Sequence, residues 1–361
     1  MRKKVDVSLP IGPVHPIFKE PARIRCETAG EKVLSAEIDL GYVKKGIENI
    51  MKGRPWQEVM FLAERICGIC SVIHNMVFIE TVEKISEIEV PQRALYLRVI
   101  VNELDRIQSH LLANYSYCYT IEHETLAMYL LNLRETAMDL IELITGARIT
   151  CAYMIPGGVR YDLDDEKMAV LRAGLDRLQK DLTRFDGMFE GGSLIGLRSR
   201  QIGLMSEEEG RISHAVGPTA RASGIVLDER MNHPTYIKLG FEPVIRYECD
   251  NYARIKVRFQ EVFQSIDLIR KCLDDMPAGK IRGGGVVKAG KGSWAGEAPR
   301  GELTYNIETD EFGRIVDIGI RTPSIMNIEA CIHYMLKGVN SAADVTSTYI
   351  SSDPCIACNE R

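Results

Sequence analysis

The stretch Glu64-Arg65-Ile66-Cys67-Gly68-Ile69-Cys70-Ser71-Val72-Ile73-His74-Asn75 carries one Cys-x-x-Cys pair, and Asp353-Pro354-Cys355-Ile356-Ala357-Cys358 carries a second. Two intervening residues let both thiolates of a pair converge on one metal centre, so the two pairs imply four soft ligands. A structural zinc held by four cysteines is the simplest such centre. Zinc ribbons, however, bring their pairs together over about 15–20 residues, whereas Cys355 follows Cys70 by 285 positions. A local zinc clip does not fit that separation. The pairs instead join distant parts of the chain at the middle of the fold, as suits a site around which the whole protein is built.

A chain of 361 residues with 45% hydrophobic content can bury a substantial core. Its 45 basic and 50 acidic residues leave a formal charge of only -5, so no overall field marks a nucleic-acid partner. Met1-Arg-Lys-Lys-Val-Asp-Val has no apolar stretch behind its basic residues, and no secretory signal follows. No run reaches the roughly 18–20 apolar residues of a membrane span. The best candidate, Leu126 to Ile144, is cut by Arg134, Glu135, Asp139 and Glu142. Membrane attachment would therefore come through partner subunits. Ten cysteines without an export signal favour metal ligation over disulfides. Cys26, Cys118, Cys151, Cys249, Cys272 and Cys331 stand alone and read as small buried apolar residues.

Around the cysteine pairs the patterning predicts an α+β chain forming one domain over 1–361. Residues 1–45 read as a small N-terminal β region, with strands at Val5–Leu9, Ala22–Thr28 and Val33–Leu40, the first broken by Pro10-Ile11-Gly12-Pro13. Helical spacing dominates 55–276, as in Val59, Leu62, Ala63 and Ile66, and again from Leu95 to Leu112. Further helices are predicted at Leu126–Thr145, Leu163–Phe189 and Asn251–Met276, packed as a long-helix bundle. Residues 282–320 turn Gly-rich and alternating, a second small β region, and 325–361 read as a helix followed by the metal-binding tail.

The two cysteine motifs resemble the nickel-binding motifs of [NiFe] hydrogenase large subunits. Lys45-Gly46-Ile47-Glu48, Glu297-Ala298-Pro299-Arg300-Gly301-Glu302 and Arg321-Thr322-Pro323-Ser324 match further family motifs in order, so the resemblance spans nearly the whole chain. Gly12-Pro13-Val14-His15-Pro16, Asn102 to Leu112, Pro156-Gly157-Gly158-Val159 and Gly217 to Gly224 also resemble the quinone-site subunit of respiratory complex I. Energy-converting hydrogenases share both relationships, and the length and ending resemble the Ech and CO-induced types. Complex I proteins have lost the nickel cysteines; retention of all four here favours hydrogen chemistry.

The resemblance implies the [NiFe] hydrogenase large-subunit fold and a Ni-Fe(CN)2CO centre, with Cys67 and Cys355 terminal on nickel and Cys70 and Cys358 bridging to iron. Thiolates suit low-valent metals because they are soft and electron-rich. Cys355 would be the first proton acceptor. Arg300 and Ser324 match the donors to cyanide, Pro299 and Pro323 would shape the pocket, and His74 would support a bridging cysteine. Glu48 lies 19 positions before Cys67, and Glu20 a further 28 before Glu48, the family distance for the carboxylate that carries protons away from Cys355. Many hydrogenases place a histidine three positions after the last cysteine, where it and the Glu48 equivalent bind magnesium; here that position is Arg361, which cannot ligate a metal. Arg361 is therefore expected to pair with Glu48 and replace the ion's charge, with Lys45 standing nearby for the usual arginine. His15 and His110 have no role on this reading. Relatives lose a C-terminal extension on maturation, so the chain is either a mature form or one made without a tail.

No ferredoxin-type cysteine cluster is present, so the chain would hold no iron-sulfur cluster of its own. The implied partners are a small hydrogenase subunit with an iron-sulfur cluster, other iron-sulfur subunits, integral membrane ion-pumping subunits and ferredoxin, with a CO dehydrogenase left open, on the cytoplasmic face of the cell membrane. Two other readings stand beside this one: a complex I-like quinone or sulfur reductase subunit, and a zinc-stabilised structural subunit.

Overall fold

The structure is a computed structural model that describes residues 7–190 and 192–361. An antiparallel sheet opens the chain, with β1 (Val7–Ile11), β2 (Arg23–Ala29) and β3 (Lys32–Asp39) in that order. The part of the expected first strand before Val7 lies outside the described residues. The strand also continues through Pro10, which sequence patterning took as a break. Proline is tolerated there because β1 is an edge strand with one side free of ladder partners. Ile24, Cys26 and Val33 form the buried face of this sheet, and Val33 is tied by backbone hydrogen bonds to Gly338 and Val339.

Five helices follow: α1 (Ile47–Met51), α2 (Trp56–Glu64), α3 (Ser71–Ser86), α4 (Gln92–Thr120) and α5 (Glu124–Thr145). A two-stranded hairpin, β4 (Met154–Ile155) and β5 (Gly158–Val159), leads to α6 (Asp165–Asp186), whose Asp164 side chain caps the Lys167 amide. Between α6 and the next long helix the expected bundle is interrupted. Among the described residues only the short helices α7 (Leu194–Ser199), α8 (Glu207–Ile212), α9 (Gly217–Arg221) and α10 (Pro234–Lys238) occur there, with short 3-10 turns and loops. Glycine and proline recur at Gly203, Gly210, Gly217-Pro218, Gly224 and Pro234, too often for a continuous helix. The bundle resumes with α11 (Asn251–Asp274).

α4 is the central helix, packed between α5 and α11. Its 29 residues span about 43 Å. Most of its side chains are buried, polar ones included, so it has no solvent face to balance an apolar one. The polar groups pair instead. Arg98 donates to both Glu83 oxygens at 2.6 and 2.8 Å, and Glu103 accepts from Tyr236 at 2.5 Å and Ser265 at 2.6 Å. His110 lies 2.8 Å from Glu261, which also accepts from Arg221 at 2.8 Å, while Arg221 reaches Glu297 at 2.7 Å. Breaking such a buried pair costs about 3–5 kcal/mol because the remaining charge is uncompensated. The pairs thereby hold α3, α4, α9 and α11 in one register.

The second sheet is an antiparallel meander of β6 (Gly290–Ala298), β7 (Gly301–Thr309) and β8 (Ile315–Arg321) lying against α3. Then come α12 (Pro323–Ala330), a π-helical turn at Cys331–Met335 where one continuous helix was expected, α13 (Asp344–Ser351) and α14 (Ile356–Asn359). Ala298 pairs with Gly301, so Pro299 and Arg300 form the tip of a two-residue hairpin. That tip is clasped from both sides: Asn327 Nδ2 donates to the Arg300 carbonyl at 2.9 Å, and its Oδ1 accepts from Val216 N at 3.0 Å. Gly217, at φ 63°, approaches so closely that a Cβ there would sit 2.4 Å from the Arg300 oxygen. Gly217→Ala is expected to destabilise the fold by about 1–3 kcal/mol and to disturb the Arg300 tip, read as a lowered Tm with altered amide exchange at Gly301; an unchanged Tm would refute the clasp.

Candidate metal centre

Each cysteine pair lies at the start of a helix. Cys67 lies beyond α2 and Cys70 precedes α3, while Cys355 precedes α14 and Cys358 lies within it. In the loop before α3, Ile69 N donates to Cys67 Sγ at 3.4 Å. The four sulfurs meet across the chain: Cys67 Sγ lies 3.4 Å from Cys355 Sγ, and Cys70 Sγ 4.0 Å from Cys358 Sγ. All four residues are 2–3% exposed. The ligand atoms of Cys67, Cys355 and Cys358 form one mutually close trio within 4.8 Å, and those of Cys70, His74 and Cys358 form another, with Cys358 common to both.

The sulfurs cannot all ionise without a cation. Hydrogen bonds from Cys355, then Cys358 and Cys70, hold the Cys67 thiol well below its ordinary range, and the complementary contacts hold Cys358 well above its own. One negative charge is tolerated and four are not, so a fully deprotonated set needs a multivalent soft metal at its centre. The donor set therefore fits a nickel-iron group as well as it fits any thiophilic ion.

Around the sulfurs the structure gathers most of the residues singled out from sequence. Ser324 Oγ accepts from Cys355 N at 3.1 Å, and Thr322 Oγ1 donates to the Cys358 carbonyl at 3.1 Å. Pro323 opens α12 beside them. His74 Nε2 lies 3.6 Å from Cys358 Sγ, and its Nδ1 lies 2.8 Å from the Tyr305 hydroxyl. Burial holds the His74 pKa down at about 4, so the ring is neutral. Arg300, 2% exposed, donates through Nε to the Asp353 carbonyl at 2.9 Å, through Nη2 to its carboxylate at 3.1 Å and through Nη1 to Ser109 at 3.3 Å. Burial would lower its pKa, but Asp353 and the cysteine sulfurs outweigh that and hold it well above the ordinary value. It is a permanent buried cation.

Glu20 sits on the other side of α14, where its Oε2 accepts from Ala357 N at 2.5 Å. Burial raises its pKa and the Ala357 hydrogen bond opposes the rise. Glu48 accepts from Ile320 N at 2.8 Å and from Arg361 Nε at 3.1 Å, and Arg361 also donates to the Cys358 carbonyl at 3.2 Å. Lys45 Nζ donates to the Ile66 carbonyl at 2.9 Å, beside Cys67. His15 and His110 do not join the sulfurs: His15 Nδ1 accepts from Ile17 N, and His110, its pKa held down at about 4 by burial, hydrogen-bonds Glu261 as a neutral ring. The lone cysteines are buried, except the half-buried Cys249.

Four residues escaped the sequence reading: Tyr305, Asp353, Ser109 and Glu360. Tyr305 had a signal, since it shares the buried parity of Leu303 and Ile307 along β7, but nothing in the sequence pairs it with His74. Glu360 latches the tail, its carboxylate accepting from Gly41 N at 2.6 Å and Val43 N at 2.7 Å. Glu360→Ala is expected to remove about 1.5–3 kcal/mol of charge-assisted bonding and to speed amide exchange at Gly41 and Val43; unchanged protection at both would show that the latch carries no load.

The chain matches two family models, "Nickel-dependent hydrogenase" over residues 45–119 and "Respiratory-chain NADH dehydrogenase, 49 Kd subunit" over residues 121–284. It is 36% identical to the carbon monoxide-induced hydrogenase of Rhodospirillum rubrum, covering 98% of this chain and 99% of that protein. The membrane-bound hydrogenase subunit alpha of Pyrococcus furiosus is 35% identical, with 99% of this chain and 89% of that protein covered. Among solved structures, a chain of the archaeal membrane-bound sulfane sulfur reductase, a respiratory membrane complex, superposes with a TM-score of 0.92 at 28% identity, over 100% of both chains.

Proposed function

Because this chain belongs to the large-subunit family of energy-converting hydrogenases, itself related to complex I, we propose that it is the catalytic subunit of a ferredoxin-linked, H2-evolving [NiFe] hydrogenase. The observation that carries this reading is the meeting of both cysteine pairs in one buried pocket beside the Arg300 cation.

Cys67, Cys70, Cys355 and Cys358 would hold the group, which when bound supplies redox-active metals for heterolytic H2 chemistry. Cys355 is the first base for the proton. Glu20 reaches the same turn through Ala357 and carries that proton outward, burial raising its pKa and so favouring proton acceptance. Arg300 is fixed by Asp353 and Ser109 before any substrate arrives, so its charge costs no reorganisation during the reaction. Ser324 and Pro323 would line the pocket beside the group, and His74 would support Cys358. The Arg361–Glu48 pair takes the place of a divalent ion.

None of the described helices is long and apolar enough to cross a membrane. Since relatives are subunits of membrane-bound complexes, this chain would dock peripherally on the cytoplasmic face through iron-sulfur and ion-pumping partners, coupling H2 evolution to ion translocation. A second reading, sulfur or quinone reduction, is favoured by the whole-chain likeness to the sulfane sulfur reductase.

Metal analysis separates these readings. Nickel and iron in equal amounts, with infrared bands of CO and cyanide, are the expected result, and serine at any of the four cysteines should abolish H2 turnover because an alcohol is too hard a donor; zinc alone, or an active serine variant, refutes the assignment. Glu20→Gln should stop H2 evolution and H/D exchange while leaving metals and infrared bands in place. The stability of the wild-type protein should also change with pH. The raised Glu20 pKa gives stability that is full below the ordinary carboxylate pKa and lost as pH rises through the folded value, so the variant should lack that slope.

A further inference from the structure

We propose that Tyr305 is a positioning residue: its hydroxyl fixes His74 in the tautomer whose Nε2–H donates to the Cys358 sulfur. The proposal rests on the reading of Cys358 as a metal-bound thiolate.

His74 lies in the first turn of α3 and is 1% exposed; Tyr305 lies on the buried face of β7 and is fully buried. Neither can turn to water for a hydrogen bond. The ring bridges two partners, with Nδ1 at 2.8 Å from the Tyr305 oxygen and Nε2 at 3.6 Å from Cys358 Sγ. Among the described residues the Tyr305 hydroxyl bonds only to His74, and no carboxylate pairs with the imidazole.

A neutral imidazole has one N–H and one lone pair, so the two contacts decide each other. If Nδ1 carried the hydrogen, it would donate to the tyrosine oxygen. The phenolic O–H would then be a buried donor with nowhere to go, and the Nε2 lone pair would face an electron-rich sulfur. If Tyr305 donates to Nδ1 instead, the hydrogen sits on Nε2 and points at Cys358, and every group is satisfied. Tyr305 is able to play the donor because a phenol keeps its proton to about pH 10 and its hydroxyl is buried away from water. The chain phenol to imidazole to thiolate therefore runs in one direction. Its effect at the far end is electronic, since an N–H donor draws density from the sulfur that it contacts. Tyr305 touches neither metal nor substrate and acts wholly through His74.

The test uses the metal-loaded protein labelled with 15N-histidine, examined by solid-state NMR, with the His74 signals identified by their loss in His74→Asn. The wild-type protein should show protonated Nε2 and a hydrogen-bonded, unprotonated Nδ1. Tyr305→Phe keeps the ring and removes the hydroxyl. The Nδ1 signal should then move to its unbonded position, or the tautomer should flip, and the CO and cyanide bands should shift to lower wavenumber as the sulfur regains density, with metal content unchanged. Protonated Nδ1 in the wild type overturns the proposal, as do unaltered 15N signals and bands in Tyr305→Phe. The wild-type spectrum decides alone if the variant does not fold. It also keeps the two failures apart: absence of nickel or of CO and cyanide bands refutes the proposed function, while the 15N signals still report which way the Tyr305–His74 bond runs.

Discussion

Four cysteine sulfurs drawn together in a dry pocket cannot all be thiolates unless a cation lies among them, and the fold is organised around that constraint. Two of the sulfurs come from the loop between α2 and α3 and two from the turn that opens α14. Closing the set forces the last turn of the chain against the N-terminal half, and the supporting bonds follow from it. Glu360 grips the backbone at Gly41 and Val43, Lys45 holds Ile66 and Lys19 holds Asp353. Each is a long-range tie that keeps one cysteine pair in place opposite the other.

Much of this was legible from the sequence. Paired cysteines at fixed spacing, helical apolar periodicity and alternating strands all act through local geometry, and local geometry is what a sequence displays. Glu20 and Glu48 were placed by counting back from Cys67 and Arg361 by counting on from Cys358, and in the structure Glu20 meets Ala357 N and Arg361 meets Glu48. What stayed hidden depends on three-dimensional partnership. Nothing local says that Tyr305 on a strand would meet His74 on a helix, or that Ser109 inside α4 would receive Arg300. The break-up of the bundle between α6 and α11 was missed for another reason. Its glycines and prolines are visible, but their effect is cumulative and no single one ends a helix by rule.

The dual likeness to hydrogenases and to complex I has a physical counterpart in α4. Its buried polar side chains pair with α3 through Glu83 and with α11 through Glu261, which in turn holds Arg221 of α9. Such a frame does not draw on the four cysteines, since none of these contacts involves them. Chemistry can then change at the pocket while the frame persists, which is how related chains come to share one fold across different reactions.

The separation of the two cysteine pairs has a kinetic side. Contacts between residues far apart in sequence close slowly, because the entropy of the intervening loop is lost before the contact can return it. During vectorial synthesis at about 5–20 residues per second, the first pair emerges and α3 can form long before Cys355 exists. For that interval Cys67 and Cys70 form an open, two-coordinate half-site, able to trap whatever thiophilic ion is abundant. On the proposed function, selectivity for the metals would therefore have to be imposed in time as well as in geometry, by withholding loading until the final turn is ready to fold over it.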